Sequence, residues 1–172
     1  MGPIIIINQG QDGLCQALSQ QLDHCKVLEE FPDSIDNLAT LCWLPADHSR
    51  VDLSVEQLVH LLDQSPVTPA KIVMKSIVGT ADDATDEQVK RWYGEKAQTL
   101  VLDHLYAIKM IDELEYPYTI VRTLPLTEHQ INRSIIPEGQ PFSGDQSNLD
   151  AVSRVIFQAI VTDDYRNQSI GI

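Results

Sequence analysis

Four consecutive isoleucines, Ile4 to Ile7, mark a strand near the start of the chain, and the residues directly after them constrain the fold more than any other feature. They run into Asn8-Gln9-Gly10-Gln11-Asp12-Gly13 and then into a segment with helical apolar spacing over residues 14–22. Strand, tight turn and helix in that order open an α/β fold built on a parallel sheet.

The turn can be set against the dinucleotide-binding pattern Gly-x-Gly-x-x-Gly. Asn8 stands at the first position, with Gly10 and Gly13 at the other two. Asparagine tolerates a left-handed backbone better than most residues, so the tight turn is expected to survive. Asp12 places a carboxylate at the start of the helix, where a pyrophosphate would otherwise sit. The same six residues therefore point to a Rossmann-like fold and against tight cofactor use. Asn8, Gly10, Gln11, Asp12 and Gly13 are the expected contacts of NAD or NADP.

Further along, strands and helices alternate. Ile4–Asn8 is the first strand and Lys26–Leu28 a short second one. Residues 39–44 form a buried strand ended by Pro45, which cannot continue a central ladder. Ser54 followed by Gln57 looks like a capping box for a helix running to about residue 64. Residues 71–78 are rich in Val and Ile on both faces, as a parallel sheet demands. Thr85 and Gln88 cap a long helical stretch to residue 114, with Gly94 placed to break it. Residues 118–122 are another strand. A last helix over residues 151–160 starts near Ser147 and Asp150, and residues 168–172 form a terminal edge strand. These elements make one doubly wound, three-layer α/β domain, with the first strand central between residues 39–44 and 71–78. Its first half is contracted, because two complete crossovers do not fit between the first helix and residue 71. Residues 123–148, with three prolines and two glycines, read as a loop at the carboxyl ends of the strands, where α/β folds bind ligands.

The charge balance, 25 acids against 12 bases for a net −13, argues against nucleic acid and anionic membrane as partners. Cys15, Cys25 and Cys42 match no metal-ligand spacing and fit a reducing cytoplasm. The N-terminus shows neither the charged region nor the cleavage site of a signal peptide, and no apolar run approaches a membrane span.

From Pro117 onward the chain resembles the atypical short-chain dehydrogenase/reductases of the NAD(P)H-binding, NmrA-like group. The resemblance rests on Tyr118-Thr119-Ile120-Val121-Arg122, on Gln140-Pro141-Phe142-Ser143-Gly144, on Ser147, on the helix near Ala151, and on the tail from Tyr165 to Ile172. Lys71-Ile72-Val73-Met74-Lys75-Ser76 is similar to the strand that in this superfamily ends in a serine beside the nicotinamide. The chain departs from the group at Asn8, at Thr123 (where a proline is usual) and after the second strand, where Glu29 and Glu30 stand and no basic residue meets a 2'-phosphate. An acid there favours NAD over NADP.

The resemblance implies an NAD(P)-dependent oxidoreductase acting on a small carbonyl, quinone or alcohol. The alternative is a catalytically inactive relative with weak or no dinucleotide binding, serving as a redox sensor or regulatory partner. Ser76 is the catalytic candidate; it also suits a contact to the nicotinamide, or a bond to a neighbouring backbone group. Leu44 and Thr123 are expected beside the cofactor. Arg122 either clamps a substrate carboxylate or pairs with an internal acid. The superfamily's Tyr-x-x-x-Lys pair has no match in register. Tyr93/Lys96 and Tyr106/Lys109 are each three apart, and the usual lysine neighbourhood falls near His104 and Tyr106. Trp43 either walls an adenine pocket or plugs a core thinned by the contraction. Trp92 and Tyr93 lie on the central crossover, where exposed aromatics would form the core of a homodimer interface.

Overall fold

The computed structural model describes residues 1–172. In chain order it contains β1 (Ile4–Asn8), α1 (Leu14–Ser19), β2 (Lys26–Leu28), β3 (Thr40–Leu44), α2 (Val51–Gln64), β4 (Lys71–Ile77), α3 (Asp86–Tyr93) and α4 (Ala97–Glu113). Then come β5 (Tyr118–Thr123), β6 (Leu126–Thr127), β7 (Ile136–Pro137), β8 (Ser147–Asn148), α5 (Leu149–Val161) and β9 (Gln168–Gly171). Seven strands form one sheet in the order β2-β1-β3-β4-β5-β9-β7, and β6 pairs with β8 in a separate ribbon. All pairings of the large sheet are parallel except β7 with β9.

The four isoleucines show why this sheet is covered on both sides. Successive side chains of a strand point to opposite faces. Ile4 and Ile6 enter one apolar cluster with Leu14, Leu18, Val152 and Ile156 of α1 and α5. Ile5 and Ile7 enter the other, with Val55, Leu58, Ala107 and Ile111 of α2 and α4. An uninterrupted apolar run is thus satisfied only by helices on both faces, each buried isoleucine contributing about 1.5–3 kcal/mol.

The strand order differs from the expected one. β1 lies between β2 and β3, and β4 lies beyond β3. The chain leaves β1 toward one edge through β2 and then crosses back to place β3 on the other side. This reversal makes the crevice between β1 and β3 the topological switch point, the usual ligand position of such sheets. The last strand is also not an edge, because the two residues of β7 pair against it. Residues 123–148 are more ordered than a simple loop. They carry three short strands, and Phe142 is fully buried between Val78 and Leu124.

Local signals fared unevenly. Thr85 and Gln88 do form a reciprocal capping box, and Gly94, at φ 85°, separates α3 from α4. Ser54, by contrast, lies inside α2, which starts at Val51 without a side-chain cap. Asn148, rather than Ser147, caps α5 by accepting the Ala151 N–H at 2.9 Å.

Trp43 is fully buried, in edge-to-face contact with Phe31 at 5.4 Å, so it is a core plug and walls no pocket. Its indole N–H donates to Gln9 Oε1 at 2.8 Å and ties the β1 turn to β3. Trp43→Phe should therefore cost about 1–2 kcal/mol, from a small void and a lost hydrogen bond. Denaturant unfolding measures this, and an unchanged midpoint would contradict it.

Candidate functional site

The carboxyl ends of β1, β3 and β4 meet at the switch point. The backbone stays extended through Asn8, which pairs with Leu44, and the left-handed residue of the turn is Gly13, at φ 81°. The turn thus needs no special backbone at Asn8, contrary to the sequence expectation. The N–H groups of Gln9 and Gly10 both donate to the Leu44 carbonyl, at 2.9 and 3.2 Å. Leu44 contributes that carbonyl, and its side chain is buried. The nearest atoms a side chain at Gly10 would meet are those of the Asp12 carboxylate, from 3.5 Å.

Asp12 accepts the Leu14 N–H through Oδ1 at 3.1 Å. Its Oδ2 lies 3.8 Å from Lys75 Nζ, which is also 2.5 Å from Asp47 Oδ1. The Lys75 side chain is 3% exposed and each aspartate side chain 30%. A buried ammonium is tolerable only with such partners. Beside the turn, Asn8, Gln9, Gly10, Gln11, Glu29 and Glu30 line an open cleft of about 400 Å³. The acids expected at the end of β2 therefore do face the glycine turn. Another cleft, of about 470 Å³, is lined by Pro3, Ile4, Cys25 and Lys26 at the amino ends of β1 and β2, away from these residues.

On the other face of β4, Ser76 Oγ is hydrogen-bonded to His104 Nδ1 of α4 at 2.9 Å. Both residues are buried, and His104 Nε2 has no hydrogen-bond partner. Burial first, and then the charge of Lys75, lower the His104 pKa to about 3, partly opposed by Asp47. The imidazole is therefore neutral at pH 7. Nearby, the Tyr93 hydroxyl donates to the Thr123 carbonyl at 2.9 Å. Burial, and then the field of Asp47, raise its pKa.

Arg122 is fully buried, and every guanidinium nitrogen has an internal acceptor. It pairs with Asp83 and donates to Ser169 Oγ at 3.0 Å and to the carbonyls of Ile136 and Ser169 at 3.0 and 3.3 Å. Of the two roles open to it in sequence, this geometry is that of an internal ion-pair partner. Thr123 is likewise enclosed, its carbonyl accepting from Tyr93 and from the Val78 N–H. Ser76 and Arg122 thus sit on neighbouring strands, with neither side chain at the surface.

Neither short-spaced Tyr/Lys pair brings both of its members to this site. Tyr106 and Lys109 are exposed on α4, and Gly94 separates Tyr93 from Lys96. Tyr93 is buried, and the Trp92 indole is tied to the Gly144 carbonyl and the Asp145 carboxylate, so this pair forms no exposed aromatic patch. Sequence reasoning missed Lys75, Asp47 and His104. The signal for Lys75 was a charge inside an apolar strand; for His104 it was a polar residue on the buried stripe of a helix.

No protein-family model matches the chain, and no curated protein sequence matches it. Solved structures do. A short-chain dehydrogenase/reductase from Veillonella parvula DSM 2008 superposes with a TM-score of 0.68 at 17% identity, covering 99% of this chain and 94% of that one. A wide-type short-chain dehydrogenase/reductase from the same organism, in complex with NADP, gives a TM-score of 0.68 at 16% identity over 98% and 92% of the two chains. A Rossmann-fold NAD(P)-binding family protein from Shigella flexneri gives 0.65 at 14% identity over 99% and 92%. The fold is therefore the Rossmann-like α/β fold of these proteins. No helix is long and apolar enough to cross a membrane.

Proposed function

We propose that this chain is a nicotinamide-dinucleotide-dependent oxidoreductase of the short-chain dehydrogenase/reductase type, acting on a small carbonyl, quinone or alcohol. The observation that carries this reading is the Ser76–His104 pair at the carboxyl end of β4, with His104 Nε2 buried and unpartnered. Leaving such an atom unpaired costs about 1–3 kcal/mol, which a substrate oxygen would recover. With the Ser76 hydroxyl donating to Nδ1, the neutral imidazole carries its proton on Nε2 and can polarise a carbonyl oxygen there without adding a charge. Bound dinucleotide would supply or accept the hydride.

The residues fit that cofactor in part. The turn from Asn8 to Gln11, with Gly13, offers backbone approach, and Glu29 or Glu30 suits a ribose hydroxyl, which favours NAD over NADP. The fit fails at the diphosphate position as arranged, because Asp12 occupies the Leu14 N–H and faces Lys75. Binding is therefore expected to be no tighter than roughly tens of micromolar.

Calorimetric titration with NAD and NADP tests the cofactor. Ser76→Ala tests the chemistry: turnover should fall about 100-fold while cofactor affinity hardly changes. Full turnover in that variant would remove the assigned role. One observation favours the non-catalytic alternative, namely that Ser76 and His104 are sealed from solvent. Failure to bind either dinucleotide at millimolar concentration would favour that reading.

A further inference from the structure

His104 Nε2 is the one buried side-chain nitrogen or oxygen without a hydrogen-bond partner, yet neither His104 nor Ser76 is open to solvent. A ligand can reach that atom only if an element packed near it moves. Elements that move are drawn from those with few buried contacts.

β4 and α4 do not qualify, because they supply Ile72, Val73, Met74, Ala107 and Ile111 to the two main apolar clusters. Residues 123–148 are also held firmly. Phe142 is buried, Arg122 donates to the Ile136 carbonyl, and Arg133 donates to Ser147 Oγ and to the carbonyls of Ser143 and Gln146. Helix α3 is held differently. Of its eight residues only Val89 and Tyr93 are buried. They pack on Ile77, the residue after Ser76, and on Leu100 and Val101, about one turn before His104. α3 therefore covers the strand end and the helix turn that carry the pair.

Its other ties run to the rim. Arg91 pairs with Asp145 at 2.9 Å, the Trp92 indole donates to the Gly144 carbonyl and to Asp145, and Gln88 donates to the Phe142 carbonyl at 3.4 Å. Arg91 and Asp145 are both exposed, and such pairs hold an element weakly. The one internal tie is the Tyr93 hydroxyl on the Thr123 carbonyl, an acceptor that keeps the Val78 N–H when Tyr93 leaves. The two ends of α3 allow it to swing. Gly94 follows it at φ 85°, with nothing beyond its chain neighbours within 4 Å of the place of a Cβ, so the chain can turn there. On the other side the chain is fixed only as far as Asp83, by Arg122. The reciprocal capping box of Thr85 and Gln88 keeps the helix intact as a unit.

We infer that α3 is a lid over Ser76 and His104, that it turns about Gly94, and that a ligand reaches His104 Nε2 when it opens. This rests on the reading of Ser76 and His104 as the reacting pair and adds the element that admits the substrate. Residues 142–145 are the fixed jaw against which the lid closes.

The test is acylation of the full chain by diethyl pyrocarbonate at pH 7, followed histidine by histidine by peptide mass spectrometry. The exposed His24, His48, His60 and His129 serve as internal references. Tyr93→Phe removes the internal tie and should speed reaction at His104 about fivefold. Asp145→Ala releases Arg91 and Trp92 and should speed it about threefold. Lys109→Ala, which breaks a surface pair with Glu113 on α4, should leave it unchanged. In low urea the His104 rate should stay flat, because local opening exposes little surface. Melting curves establish that each variant is folded, and Asp145→Ala, at an exposed side chain, decides the matter even where Tyr93→Phe is not.

If the His104 rate climbs steeply from the lowest urea and is the same in Asp145→Ala as in the unaltered chain, the ring is reached only by global unfolding and the lid is wrong. If the variants open His104 but no small aldehyde or quinone is reduced with NADH or NADPH, the lid stands and the oxidoreductase reading fails. If turnover is found and neither Tyr93→Phe nor Asp145→Ala changes the His104 rate, the lid fails and the oxidoreductase reading stands.

Discussion

Arg122→Met should lower stability by about 3–5 kcal/mol, the largest loss expected from a single substitution in this chain. The wild-type guanidinium is fully buried and neutralises Asp83, which is itself 1% exposed. Without it, the Asp83 carboxylate keeps only the Gly79 N–H, at 2.8 Å, and the carbonyls of Ile136 and Ser169 lose donors. An uncompensated buried charge is far more costly than the intact pair is favourable, so the loss reports the stranded acid rather than the strength of the bond. A domain is stable by only about 5–15 kcal/mol, so the variant should melt roughly 10 °C lower. Because Ile136 sits in β7, proteolysis within residues 123–148 should accelerate before the rest of the chain opens. Arg122→Met/Asp83→Leu should recover part of the loss, since removing both charges avoids the stranded carboxylate. A melting temperature unchanged by Arg122→Met, with a loss of substrate affinity, would instead make the arginine a clamp.

That contrast shows where the sequence was informative and where it stopped. An arginine at the end of an apolar strand announced a charge needing a partner. The partner, Asp83, lies far away in sequence, and nothing local distinguishes it from the adjacent Asp82. The isoleucine run did specify a sheet covered on both faces, because its period leaves no exposed side. Gly94 and the Thr85–Gln88 box did set boundaries, because those signals act within one turn of helix. The neighbours of β1 were not legible in the same way. Parallel pairing is decided by packing between segments some thirty residues apart, and β2, with only three residues, gives a weak pattern.

The candidate site was half legible for the same reason. The turn from Asn8 to Gly13 is contiguous, and the structure places it at the switch point beside Glu29 and Glu30. Lys75 was visible as a lysine between Met74 and Ser76, yet its two carboxylates come from separate loops. Among the buried residues of α4 are Leu100, His104, Ala107 and Ile111, close to the stripe that the apolar spacing marks. A histidine on such a stripe is usually a core residue with its polar atoms satisfied. The unpartnered Nε2 that sets this one apart appears only once the chain is folded.

His104 should make the protein acid-sensitive well above the range where carboxylates titrate. Its pKa is lowered from 6.5 to about 3, first by burial and then by the nearby ammonium of Lys75. The sign is set by which state binds the proton. Between those two values the unfolded chain takes up a proton at this position and the folded chain does not, so acid favours unfolding. The contribution is fully present above about pH 6.5. It is lost as pH falls, at about 1.4 kcal/mol per pH unit, or roughly 2–3 kcal/mol by pH 4.5. Denaturant unfolding at pH 7, 6 and 5 measures the slope. His104→Gln, which cannot protonate, should flatten that slope while retaining a polar partner for Ser76. Equal slopes in the two proteins would mean that the folded state lets water or a proton reach the ring. The Ser76–His104 pair would then be open to the outside, which is the condition a substrate needs. Acid sensitivity of folding and accessibility of the pair are thus opposed, and the first can be measured without knowing the substrate.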